Sequence, residues 1–152
     1  MIGQNPTWYV LPNGKLDIEK VLNRYIECYK EHSELVTKRS TYTEAAHHLL
    51  FMAWLQRIVN GGGRISREYA AGLGRIDLCI DFAGERFGFE LKLFNKKALQ
   101  RGLEQLSEYL TRLSLAHGRL ILFSRLHQID LEQAGRREVI EYRMKRIEVI
   151  YL

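Results

Sequence analysis

Between Arg75 and Phe94 the chain alternates polar and apolar residues with a single break, and this pattern constrains the fold most. Strict alternation is the period of a β-strand, whose successive side chains point to opposite faces. In Arg75–Phe82, the residues Ile76, Leu78, Ile80 and Phe82 share one face, and Arg75, Asp77, Cys79 and Asp81 share the other. In Glu85–Phe94, the residues Phe87, Phe89, Leu91 and Leu93 oppose Arg86, Gly88, Glu90 and Lys92. Only Ala83-Gly84 separates the runs, so the two strands are expected to form a hairpin. A two-residue loop sets Asp81 opposite Arg86, Asp77 opposite Glu90 and Arg75 opposite Lys92. A four-residue loop gives the same register, and a three-residue loop shifts it by one.

Trp8 to Leu16 is a short turn, with Pro12-Asn13-Gly14 supplying the turn chemistry. From Asp17, an expected N-cap, apolar residues recur at helical spacing: Ile18, Val21, Leu22, Tyr25, Ile26 and Tyr29. A second helix is expected from Thr41, where Thr41 and Glu44 form a capping-box pattern, to the Asn60–Gly63 stop. Arg64 to Tyr69 is a short strand. A long helix follows from Lys96 to Leu115, with Leu99, Leu103, Leu106, Leu110 and Leu113 as its buried stripe. After His117-Gly118 comes a buried strand, Arg119 to Ser124. Asp130 to Met144 reads as a helix with a loop, and Ile147 to Leu152 as a last strand. The expectation is an α/β fold, a mixed central sheet flanked by helices. Residues 1–40 form a turn and helix packing on the core of 41–152, within one structural domain.

The length of 152 residues suits a single core, and 46% hydrophobic with 27% charged residues excludes a disordered or fibrous chain. No apolar run approaches the roughly 18 residues of a membrane span, so no membrane is expected. The opening MIGQNPTWYV has neither the basic start nor the apolar core of a signal peptide. The expected location is therefore the cytoplasm. Two cysteines, Cys28 and Cys79, cannot build a disulfide framework or a Cys-rich zinc site. A net charge of +5 is compatible with nucleic acid without demanding it. The sequence does not fix the oligomeric state, and a homodimer is compatible with it.

The opposition of Asp77 and Glu90 carries the chemistry. Two carboxylates directly opposite on one sheet face repel, unless something positive sits between them. Lys92, two residues along the same face, is one candidate. A hard divalent cation, with waters completing its oxygen shell, is the other, and this donor set suits Mg²⁺. The competing reading is a solvated polar face holding Asp77, Glu90 and Lys92.

The runs Gly74-Arg75-Ile76-Asp77-Leu78 and Phe89-Glu90-Leu91-Lys92-Leu93 resemble the PD-(D/E)XK nuclease superfamily. Its signature is an Asp on one strand and Glu-X-Lys on the next, between two helices. The resemblance covers Thr41 to Ser124, and Ile76 stands where the motif's name has proline. It implies a restriction-endonuclease-like αβββαβ core. A closer resemblance runs through Leu16-Asp17, His32-Ser33-Glu34, residues 55–65 (LQRIVNGGGRI), Arg67-Glu68-Tyr69, Gly74-Arg75 and Gly102-Leu103-Glu104-Gln105. These stretches look like the nuclease-like C-terminal domain of bacterial AAA-ATPase-like proteins. That likeness implies a domain excised from a larger protein, with an ATPase domain of the same parent as a partner. No phosphate-cradling Gly-x4-Gly-Lys-Ser loop is present; Gly61 to Gly63 lead into a strand and lack the lysine.

The resemblance also implies roles. Asp77 and Glu90 would bind Mg²⁺ or Mn²⁺, with the Leu91 carbonyl as a further ligand. Lys92 would orient or deprotonate the attacking water in hydrolysis of DNA. Glu44 matches a helix carboxylate that many members add to the site, although the capping box explains it equally. Glu68 would be a supporting carboxylate. Gln105 and Tyr109, one turn apart on the long helix, would line the site. Separately, Lys96, Lys97, Arg101 and Arg112 place positive charge on that helix, where it could follow a phosphate backbone or simply be solvated. A catalytically silent nucleic-acid-binding or ATPase-regulating domain is the alternative to a nuclease. The complete set of Asp77, Glu90 and Lys92 favours the enzyme.

Overall fold

The structure, a computed structural model, describes residues 8–37, 44–59, 62–69, 76–123 and 135–152. Its elements are α1 (Ile18–Thr37), α2 (Glu44–Val59), β1 (Gly63–Tyr69), β2 (Ile76–Phe82), β3 (Glu85–Leu93), α3 (Ala98–Arg112), β4 (His117–Phe123), β5 (Arg136–Tyr142) and β6 (Lys145–Tyr151). The six strands form one mixed sheet in the order β1-β2-β3-β4-β6-β5. β1, β2 and β3 are antiparallel to one another, β3, β4 and β6 run parallel, and β5 closes antiparallel on β6. This is the expected mixed α/β architecture, with three helices among the described residues. Among the described residues no helix is long and apolar enough to cross a membrane.

The alternation of the hairpin strands divides the core in two. Leu78, Ile80, Phe82, Phe89 and Leu91 pack on one side against α1 and α2, through Val21, Leu22, Tyr25, Phe51 and Leu55. Burying each such side chain contributes about 1.5–3 kcal/mol. Phe51 links the layers, with its ring 4.8 Å from that of Tyr25 and 6.0 Å from that of Phe89. On the other side α3 packs Leu103, Leu106 and Leu110 onto Cys79, Leu120, Leu122, Ile147 and Val149. Cys79 is thus a small filler between sheet and helix.

Local signals act as expected near the N-terminus. Leu11 N donates to Lys15 O at 2.7 Å, and Gly14, at φ +83°, turns the chain between Val10 and Leu16. Asp17 Oδ1 accepts from Lys20 N at 3.1 Å and caps α1. The expected capping box of α2 lies outside the described residues at Thr41, as does the side chain of Glu44.

One expectation is corrected. The tail from Asp130 to Met144, read as a helix with a loop, contains β5, which joins β6 through Arg143 and Met144. Both turn residues have positive φ, +48° and +64°, as in the tight turns whose twist matches paired strands. β5 is the last strand at the sheet's edge, and its sequence RREVIEY mixes charge into both faces. An edge strand buries little, which removes the clean alternation that marks β2 and β3.

Candidate active site

The hairpin register is the expected one. Asp81 pairs with Arg86, Cys79 with Gly88, and Asp77 with Glu90. The loop is Ala83-Gly84, at φ +50° and +83°. Arg86 Nε lies 3.4 Å from Asp81 Oδ1, an exposed cross-strand ion pair. Arg75, expected opposite Lys92, lies outside the described residues. In the backbone register Glu68 stands beside Asp77 on β1, so Glu68, Asp77 and Glu90 occupy one row across three strands.

The carboxylate face is not solvated. Asp77 is 2% exposed and Glu90 fully buried, because α3 is drawn tightly onto this side of the sheet. Two glycines permit that approach. Gly88 and Gly118 pair in register on β3 and β4. A Cβ built on either would meet a Leu110 methyl at 2.6 Å, and one on Gly102 would meet Leu120 at 2.7 Å. Leu110 therefore rests where side chains are missing. Ahead of the helix, Asn95 Oδ1 accepts from Lys97 N at 2.9 Å.

The descent of α3 brings Gln105, Tyr109 and Arg112 over the carboxylates. Their spacing of four and three residues sets them on one helix face. Lys92 Nζ donates to Gln105 Oε1 at 3.0 Å. Arg112 Nη2 lies 3.9 Å from Asp77 Oδ2, and the guanidinium sits 5.4 Å from the centre of the Tyr109 ring. Tyr109 is 2% exposed and turned to the sheet. Leu91 points its side chain into the opposite core, so only its main chain is available to the site.

The basic residues do not form one continuous track. Lys96 and Lys97 are exposed in the turn before α3, and Arg101 is exposed in its first turn. Arg112 is the last residue of the helix, about 16 Å farther along at 1.5 Å per residue.

Two hard, buried carboxylates in one register pair form an oxygen donor set that suits Mg²⁺ or Mn²⁺. Among the described residues no group of three or more His, Cys, Asp and Glu side chains could hold a metal. An ion here would rest on Asp77, Glu90, backbone oxygen and water.

Beside this geometry stands one match to known proteins. A family model described as Domain of unknown function (DUF8371) matches residues 15–124. The chain belongs to this family. The match takes in α1, α2, the carboxylate hairpin, α3 and β4, and stops short of β5 and β6. No curated protein and no solved structure matches the chain.

Sequence reasoning missed how α3 closes the site. The visible signal was Gly88, a side-chain-free position among Arg86, Glu90 and Lys92, followed by Gly118 at the start of the next strand. It also missed a second polar cluster on the other side of the sheet. There Glu19 of α1 accepts from Arg119 Nη2 at 2.8 Å and from Arg137. Burial pushes the Glu19 carboxyl up, but Arg119 and Arg137 together hold it below its ordinary value.

Proposed function

We propose that the chain is a metal-dependent nuclease domain of the PD-(D/E)XK type, with a restriction-endonuclease-like core, hydrolysing phosphodiester bonds of DNA. The observation that carries this reading is the register pairing of Asp77 with Glu90 on a buried face, with Lys92 two residues on and bonded to Gln105. The order α2-β1-β2-β3-α3-β4 supports it as well. Mg²⁺ or Mn²⁺, when bound, supplies Lewis acidity on the scissile phosphate and lowers the pKa of water.

The chain's own groups do the rest. Asp77 and Glu90 hold the ion, aided by the Leu91 carbonyl. Lys92 orients the attacking water and offers positive charge to the phosphate as negative charge builds on it. Gln105 aims Lys92 by accepting its hydrogen bond. Tyr109 and Arg112 form the site's edge, and Lys96, Lys97 and Arg101 meet flanking phosphates. Glu44 and Glu68 are supporting carboxylates, and an ATPase domain of a parent protein is a partner on the same reading.

One observation favours the second reading, a catalytically silent nucleic-acid-binding or ATPase-regulating domain. The carboxylates lie buried beneath α3, with Arg112 beside Asp77. The two readings separate on incubating the purified chain with varied DNA and RNA substrates in Mg²⁺ or Mn²⁺, beside Lys92→Ala and Asp77→Ala. Cleavage by the parent that both variants lose supports the nuclease. Equal rates in all three report a contaminant, and binding without cleavage moves the silent domain to first place.

A further inference from the structure

We propose that Arg112 stands in for the metal at Asp77 and transfers to a DNA phosphate when the ion binds, so that metal and DNA binding are coupled through this one side chain. The inference rests on the metal-dependent reading above and specifies its regulation.

The pair is asymmetric. The Asp77 side chain is 3% exposed and cannot leave, whereas that of Arg112 is 57% exposed. Their separation of 3.9 Å is that of an ion pair without a short hydrogen bond. Such a contact with an exposed partner is weak and readily exchanged. Yet it places positive charge beside a carboxylate that faces another carboxylate across the strand pair. A divalent ion bound there makes the guanidinium surplus, and like charges then repel.

Tyr109 gives Arg112 a fixed platform. The ring is buried, and the guanidinium lies over it at 5.4 Å. Cation–π attraction holds the group at the edge of the site when the Asp77 contact is released. Arg112 also ends α3, where the helix dipole favours a cation. A planar guanidinium released from a carboxylate can grip a phosphate through paired N–H groups. Coupling of this kind is reciprocal: metal frees Arg112 for DNA, and DNA frees Asp77 for metal.

The test is a calorimetric titration of the whole chain with Mn²⁺ without DNA, together with binding of a labelled duplex in Ca²⁺. The proteins are the parent, Arg112→Gln and Arg101→Gln. Arg112→Gln is expected to bind Mn²⁺ about three- to fivefold more tightly than the parent. It should bind duplex more weakly, with a log–log salt slope smaller by about 0.9. Arg101→Gln should leave Mn²⁺ affinity unchanged. The proposal is overturned if Arg112→Gln binds Mn²⁺ no more tightly than the parent, or if Arg101→Gln gains as much, which would be a general charge effect. A parent that binds no Mn²⁺ overturns the nuclease reading together with this one. A parent that binds it as tightly as Arg112→Gln overturns this one alone.

Discussion

Lys92 of β3 and Gln105 of α3 are joined across the helix–sheet interface by a hydrogen bond of 3.0 Å, from Nζ to Oε1. A flexible ammonium is thereby held to one direction, next to a buried carboxylate pair. Lys92→Ala should leave Mn²⁺ affinity within about twofold and remove most turnover, because in the proposed mechanism the lysine acts on water and not on the ion. Gln105→Ala keeps the charge but loses the tether, and a loss of roughly ten- to a hundredfold in single-turnover rate is expected. Equal rates for parent and Lys92→Ala, with Asp77→Ala inactive, would remove Lys92 from the chemistry.

The packing of Leu110 on the glycine pair makes a prediction about stability. At Gly118 an added Cβ would meet both Leu110 methyls, at 2.6 and 2.9 Å, and its Cγ at 3.1 Å. The whole side chain must move, and Leu110 is fully buried. Gly118→Ala should cost about 1–3 kcal/mol. Leu110→Ala, itself costly, should cost less in the Gly118→Ala background than in the parent, so that a double-mutant cycle in urea gives a clear coupling energy. Strict additivity would mean that α3 does not rest on these glycines.

Glu19 ties α1 to the sheet through Arg119 and Arg137, and Arg137 reaches on to Glu148 at 3.2 Å and Asn23 Oδ1 at 2.7 Å. Its folded pKa lies below the ordinary 4.5. The carboxylate therefore adds stability above that value, and the contribution disappears as pH falls through the folded pKa. Glu19 is half-exposed, so Glu19→Gln should cost only about 0.5–1 kcal/mol at pH 7. The gap should close as pH drops below the ordinary carboxylate range. Urea melts at pH 7 and in acid would check this, and a gap that widens in acid would be the wrong sign.

DNA binding should weaken steeply with salt. Neutralising Lys96, Lys97 or Arg101 should each lower the log–log slope by about 0.9 on duplex, one phosphate at a time. Since these residues sit at one end of α3 and Arg112 at the other, their effects should add. A slope unaltered by Lys97→Gln and Arg101→Gln would make this end of the helix a solvated surface.

Much of this architecture was legible in the sequence, for physical reasons that vary by element. The register of β2 and β3 followed from Ala83-Gly84, since a two-residue loop fixes which residues oppose. The leucine stripe of α3 was legible because helical spacing and a buried face coincide at Leu103, Leu106 and Leu110. β5 was not, because an edge strand with little to bury carries no period. Alternation placed Asp77 and Glu90 on one face but could not say how deep that face lies. Their depth comes from Gly88 and Gly118, which meet only after the chain crosses over through α3, and no local pattern encodes that meeting. The Asp77–Arg112 contact is a consequence of the same descent.

Thermal melts probe the proposed cation site of Asp77 and Glu90 without any substrate. Like charges held in register cost energy in the metal-free fold. Mg²⁺ or Mn²⁺ should stabilise the parent and raise its melting temperature with concentration, the stabilisation reaching about 2.7 kcal/mol at 100 times the dissociation constant. Ca²⁺ should stabilise as well without supporting cleavage, since it tolerates looser geometry. Asp77→Asn should be more stable than the parent in EDTA, by up to about 1 kcal/mol, and should lose the response to metal. A parent with no shift in millimolar metal, and an Asp77→Asn protein less stable than the parent in EDTA, would make the pair a structural polar feature and not a cation site.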